Sequence, residues 1–222
     1  MRDAALPIGQ ALDTGRISED TSHAWYTDAV GGAPLHPMAG MTEPDADKPG
    51  AYSWNKAPRL AGQVVETGAL ARQVVDAQAL ICTLAQQGGT VLTRVLARLV
   101  EIARILPMME QWLLALQVHE PFYQPHSLPQ QGQGAGLVEA ARGALGHWLQ
   151  IEAGRISHYQ IVAPTSWNFS PRDAAGNPGA LESALVGAVL DRAGQNPAQA
   201  GQSVAVQHIV RSFDPCMVCT VH

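Results

Sequence analysis

The stretch Leu145–Val162, LGHWLQIEAGRISHYQIV, holds two apolar and aromatic runs either side of Glu152-Ala153-Gly154. Runs of this length flanking a short Gly-containing break predict a β-hairpin, with strands over Leu145–Gln150 and Ile156–Val162. The pattern stops at Ala163-Pro164-Thr165-Ser166-Trp167-Asn168. Upstream, residues 119–136 read as a loop. His119 and His126 bracket Pro121, Phe122, Tyr123 and Pro125, and Gln131–Gly136 alternates with glycine. No Lys-Ser/Thr follows those glycines, so they do not form a phosphate cradle. Their small size instead suits close backbone packing.

Further out, the pattern becomes helical. Leu70, Val74, Val75, Ala79, Ile81 and Leu84 recur at helical spacing, predicting a helix from about Thr67 to Gln87, with Cys82 as a small core residue. Gly88-Gly89 breaks it. Thr90 or Thr93 caps a second helix running to about Leu116, which Pro107 should kink or divide. The short turn between them predicts antiparallel packing. Pro178 and Gly179 open a third helix, Ala180 to about Ala193, and Val204–Val210 suits a strand or a helix. Residues 1–50 are rich in Gly, Pro, Asp and Thr and read as irregular, with short helical or extended pieces around Asp20-Thr21-Ser22-His23-Ala24-Trp25-Tyr26. Lys56 and Arg59 read on composition as a solvated loop. The expected fold class is α+β, mainly helical: a helical core with one small β-hairpin and long irregular segments. No composition break divides it, so 1–222 is expected to be a single domain.

The 222 residues are 46% hydrophobic and only 15% charged, with a net charge of -5. So little charge implies a surface partly covered by a partner. The absence of a basic block argues against nucleic-acid binding. No apolar run reaches membrane-spanning length, and MRDAALPIGQ lacks the pattern of a signal peptide. Three cysteines, an odd count, favour a reducing compartment over a disulfide framework. The chain ends in Asp214-Pro215-Cys216-Met217-Val218-Cys219-Thr220-Val221-His222. Cys216 and Cys219 lie three apart with His222 three further on, which is metal-ligand spacing for thiolate-favouring metals. The residues alone leave open zinc, another soft metal or a redox pair.

Asp214-Pro215-Cys216-x-x-Cys219-x-x-His222 resembles the carboxyl-terminal signature of nickel-iron hydrogenase large subunits. Glu139-Ala140-Ala141-Arg142-Gly143-Ala144-Leu145-Gly146-His147-Trp148, Pro164-Thr165-Ser166-Trp167-Asn168, and Tyr52–Arg59 with Glu66-x-Gly68-x-Leu70-Ala71-Arg72 resemble further family blocks, in family order. The resemblance covers about residues 52–222 and corresponds to the carboxyl-terminal portion of a large subunit.

It implies reversible heterolytic cleavage of dihydrogen at a nickel held by four thiolates. Two of those thiolates are shared with an iron carrying carbon monoxide and cyanide. By position Cys216 would be a terminal nickel ligand and candidate base, and Cys219 a bridging ligand. Arg142 would stand over the centre as the catalytic guanidinium, paired with Asp214. Thr165, after Pro164, would donate to a cyanide. His222 and the carbonyl of Ile161 would hold a magnesium or iron ion.

The family's other cysteine pair, Arg-x-Cys-Gly-x-Cys, and its early proton-passing glutamate are absent from these residues. Implied partners are therefore an iron-sulfur small subunit and a separate amino-terminal half. The chain is then a fragment, one half of a split subunit, or a degenerate protein that lost the metal. Ala141 stands where the family has proline. Alternatives in function are a hydrogen sensor signalling to a partner, and a zinc-binding module. The expected location is cytoplasmic, or membrane-associated through partners.

Overall fold

A computed structural model describes residues 11–29, 31–189 and 202–216. The predicted hairpin is present and larger than expected. It is β4 (Gly143–Glu152) and β5 (Arg155–Val162), antiparallel, with a register irregularity at Gln150/Ile151. Ala153 and Gly154 have φ of 49° and 72°, the double left-handed turn whose twist matches that of paired strands. The glycine-alternating segment is not a loop: Gln131–Ala140 forms β3, paired with β4 along its whole length. Its glycines weaken strand propensity, but ten backbone positions matched to a neighbouring strand outweigh that. A second, two-stranded sheet pairs β1 (Ile17–Asp20) with β2 (Ala57–Leu60). The segment that read as irregular thus contributes a strand.

The single helix expected over Thr67–Gln87 is two: α1 (Ala69–Val75) and α2 (Ala79–Leu84). They are separated at Ala77, whose φ of 54° no helix accommodates. Next comes α3 (Val91–Ala115), started by a reciprocal capping box between Thr90 and Thr93 and continuous through Pro107. The expected antiparallel arrangement of first and second helix is wrong. Glu66 bonds Arg94, Arg72 bonds Glu101 and Asp76 bonds Arg104, at separations of 28, 29 and 28 residues. A constant offset means that α1 and α3 run parallel, with α2 and Gly88-Gly89 returning the chain. A short turn does join α2 to α3, but α1 is set off from α2 at Ala77 and so is free to run alongside α3 in the same direction.

The remaining helices are α4 (Pro164–Asn168), α5 (Ala180–Leu185) and α6 (Val204–Ser212). The ambiguous apolar run 204–210 is therefore helical. The far end of the expected third helix lies outside the described residues.

Two small apolar clusters hold these layers. Ile17, Trp148, Val162 and Trp167 join both sheets to α4, and Ala69, Leu70, Ile81 and Ala97 join α1, α2 and α3. The Trp148 ring lies over Gly146, where an added Cβ would meet ring carbon at 2.3 Å. Lys56 and Arg59 are 7% and 2% exposed, which overturns the solvated-loop reading. Arg59 Nε donates to Asp173 Oδ2 at 2.9 Å, joining β2 to the loop after α4. Lys56 Nζ donates to Thr42 Oγ1 and Gln160 Oε1 at 2.8 and 3.0 Å, and lies 3.7 Å from Glu19 Oε2. Burial pushes Lys56 below its ordinary value and Glu19 above its own, each only partly offset by the other.

Candidate metal centre

The segment leading to Cys216 is fastened at three places. Phe213, the C-cap of α6, is buried, and the Arg94 guanidinium lies over its ring at 3.7 Å from the centroid. Arg94 is itself held in a fork by both Glu66 oxygens at 2.8 Å, and its other end donates to Ser212 Oγ at 3.3 Å. Arg98 Nη1 donates to the Ser212 carbonyl at 2.7 Å. The chain then turns sharply at Asp214, a non-glycine residue with φ of 53°. Beyond it, the amide of Cys216 donates to Thr165 Oγ1 at 3.2 Å.

Thr165 is a fixed point. It is buried in α4, where Pro164 occupies the first turn without wasting an amide. Asn55 Nδ2 caps the other end, donating to the carbonyls of Phe169, Ser166 and Thr165 at 3.0, 3.3 and 3.4 Å. Asn168 makes a two-point bond to Thr67, accepting from its amide and donating to its carbonyl, both at 2.9 Å. Through Asn168, α4 is tied to the chain just before α1.

Arg142 arrives from the opposite side, on the two-residue turn between β3 and β4. Gly143 beside it has φ of 138°, and a Cβ there would lie 2.4 Å from Thr67 Oγ1 and 2.9 Å from the Gly68 amide. Only glycine permits this approach of the turn to the start of α1. From the turn, Arg142 Nε reaches Asp214 Oδ1 at 3.5 Å, with both side chains about two-fifths exposed (42% and 40%). That is an ion pair rather than a tight hydrogen bond. The cleft between turn and tail is lined by Glu66, Thr67, Arg94, Arg142, Phe213 and Asp214.

Of the residues singled out in the sequence, Pro164, Thr165, Arg142, Asp214 and Cys216 therefore come to one place, from α4, the β3–β4 turn and the chain after α6. Ile161 is on β5, opposite His147 and next to Gln160 of the Lys56 cluster. Cys219 and His222 lie outside the described residues. Cys82 is on α2, its Sγ 3.8 Å from the Val74 carbonyl, as a half-buried packing residue.

Among the described residues no group of three His, Cys, Asp or Glu side chains is arranged to hold a metal ion. The chemistry of what is present fits a share of a thiolate-bound centre. It comprises one soft sulfur at Cys216, a cation two residues away through Asp214, and a hydroxyl at Thr165. Guanidinium and hydroxyl are donors suited to anionic ligands.

Arg94 and Arg98 position the site without lining up in any motif, and Asn168, though inside the Pro164–Asn168 block, carries no local sign of its bond to Thr67. Their partners lie 28, 114 and 101 residues away. The one legible signal was glycine directly after Arg142.

The family model of nickel-dependent hydrogenase matches residues 2–222. The chain is 31% identical to an uptake hydrogenase large subunit of Afipia carboxidovorans, over 96% of this chain and 42% of that protein. It is 34% identical to the hydrogenase-1 large chain of Citrobacter freundii, over 98% of this chain and 42% of that one. Its backbone is similar to a crystal structure of a reduced, active form of the Ni-Fe-Se hydrogenase from Desulfomicrobium baculatum, with a TM-score of 0.81 and 33% identity, covering 96% of this chain and 46% of that chain. The chain spans less than half the length of these relatives. No helix among the described residues is long and apolar enough to cross a membrane. With a match along nearly its whole length, this chain belongs to the nickel-dependent hydrogenase family.

Proposed function

We propose that this chain is the carboxyl-terminal portion of a large subunit that cleaves dihydrogen heterolytically and reversibly. The observation that carries the reading is the convergence of Arg142, Asp214, Thr165 and Cys216 from three separate elements, in a chain of this family. Cys216 and Cys219 would supply two of four thiolates to a nickel-iron centre, and the remaining two belong to sequence outside these residues. When bound, the centre supplies the polarisation that makes dihydrogen acidic.

The chain's own residues then have distinct tasks. Cys216 Sγ would hold nickel and would be the group that takes the proton. Arg142 would donate to the diatomic ligands of the iron, while Asp214 holds its guanidinium. Thr165 fixes the Cys216 backbone through Oγ1 and would donate its own hydrogen to a cyanide. His222 and the Ile161 carbonyl would hold a magnesium or iron ion.

The partners proposed are an iron-sulfur small subunit, which takes the electrons, and the rest of the large-subunit sequence. Location would follow those partners, in the cytoplasm or at a membrane. The test is metal analysis of the protein purified with its native partners. Nickel at one per chain, lost in Cys216→Ser along with dihydrogen-dependent reduction of an artificial acceptor, is the expected result. Stoichiometric zinc without nickel overturns the reading.

A further inference from the structure

Arg72 lies outside the set assigned above, yet every one of its five N–H donors is engaged. Nε and Nη2 donate to the two oxygens of Glu101, both at 2.7 Å. Nη1 donates to Glu139 Oε2 at 2.8 Å and to the Ala140 carbonyl at 2.9 Å. The second hydrogen of Nη2 goes to the Ala141 carbonyl at 3.0 Å. The side chain is 20% exposed and that of Glu101 15%. The fork toward Glu101 fixes the guanidinium plane on α1 and α3. The opposite edge of the same plane grips the last two carbonyls before Arg142. The Glu101 bonds push Arg72 further above its ordinary value than burial lowers it, so the fork stays charged.

On the far side of Arg142, Gly143 is packed against Thr67 and Gly68. The turn is thus held before Arg142 by a side chain of α1 and after it by the backbone at the start of α1. Pairing of β3 with β4 closes the turn between Ala140 and Gly143, but the β3 residues are exposed from Gln131 through Glu139, so no side-chain packing of that strand adds to it.

We propose that Arg72 is a positioning residue for Arg142, clamping the Ala140 and Ala141 carbonyls so that the Arg142 guanidinium is presented to Asp214. The consequence for chemistry rests on the role given to Arg142 above; the clamp itself does not. A planar fork is required, because the five acceptor oxygens lie at two edges of one plane and the ammonium of a lysine presents a single point.

The test is hydrogen–deuterium exchange on the full chain as purified with its partners, comparing wild type, Arg72→Gln, Arg72→Lys and Glu101→Gln. Arg72→Gln is expected to speed exchange across Ala141–Gly143 by about 10-fold or more, with the Glu152–Arg155 end of the same sheet within about two-fold of wild type. Arg72→Lys should fail to restore protection, and Glu101→Gln should give a smaller acceleration at the same place.

Unchanged exchange at the turn, equal acceleration at both ends of the sheet, or full restoration by lysine would each overturn the clamp. In the assembled protein, Arg72→Gln should lower dihydrogen turnover in the wild-type background and add nothing in an Arg142→Ala background, with nickel content unchanged. Equal losses in both backgrounds would make Arg72 merely structural. A loosened turn with unaltered turnover would leave the clamp standing and remove Arg142 from the chemistry.

Discussion

The two halves of α3 are built from similar residues and meet different surroundings. In the first, Thr93, Arg94 and Ala97 are buried, and Arg94 and Arg98 reach out to the chain that carries Cys216. In the second, Leu106, Trp112, Leu113 and Leu114 are 62%, 55%, 67% and 79% exposed, and no residue from Ile102 to Ala115 is buried. A helix that is apolar on every side is ordinarily a buried one. Apolar content therefore does not say which part of this helix the chain itself covers. One face of the first half is covered, the face of Thr93, Arg94 and Ala97, because Ala97 lets α1 and α2 approach and because its arginines find carboxylate and carbonyl partners. The second half has the composition of an interface, which is the place the proposed partners would occupy.

The largest effect should come from the covered half. Arg94→Ala leaves the Glu66 carboxylate without its fork and removes the cation from the Phe213 ring. Loss of such a pair should cost about 3 kcal/mol in urea unfolding. Most of that loss should appear as freedom of the segment around Asp214, seen as faster exchange there than in the β3–β5 sheet. A cost under about 0.5 kcal/mol would mean that the arginine clasp holds nothing.

An intermediate effect tests a polar clasp remote from α3. Burial pushes the Asp173 carboxyl up, but Arg59 and the Asn177 bonds together hold it below its ordinary value of 3.8. A depressed carboxylate contributes stability that is full above its unfolded value and is lost as pH falls through the folded one. Acid unfolding should therefore steepen below pH about 4, and Asp173→Asn should flatten that limb while costing about 2 kcal/mol at neutral pH. An unchanged acid limb in Asp173→Asn would assign the loss to other carboxylates.

The smallest effect on stability belongs to the exposed half. Leu113→Lys should change unfolding of the isolated chain by less than about 0.5 kcal/mol. The same substitution should abolish co-purification with the partners. A large loss of stability in the chain alone would show that this half is already covered within it.

Much of the fold was legible because it is written in local chemistry. The β4–β5 hairpin follows from two apolar runs and a turn at Ala153-Gly154, and the start of α3 from Thr90 and Thr93. The candidate site was legible in part through its motifs, with Arg142 next to an obligatory glycine and Cys216 after Asp214-Pro215. The failures share one cause. Gln131–Gly136 has no strand signal of its own and is a strand only because β4 lies beside it. The parallel course of α1 and α3 depends on a break at Ala77 that helical spacing conceals. Lys56 and Arg59 look like surface residues until Gln160 and Asp173, over a hundred positions later, close around them.

The sequence by itself determined the family blocks, the hairpin, the helix caps and the identity of the donors at the candidate centre, since each depends on residues within about a helical turn of one another. Only the tertiary structure decided that Thr165 holds the Cys216 amide, that Arg142 faces Asp214, and that Arg72 grips the turn between them. Those contacts join groups on residues 51, 72 and 68 to 69 positions apart. A hydrogen bond is specified by where two groups lie in space, and nothing in the local pattern of a chain encodes which distant donor will arrive within 3 Å of which acceptor.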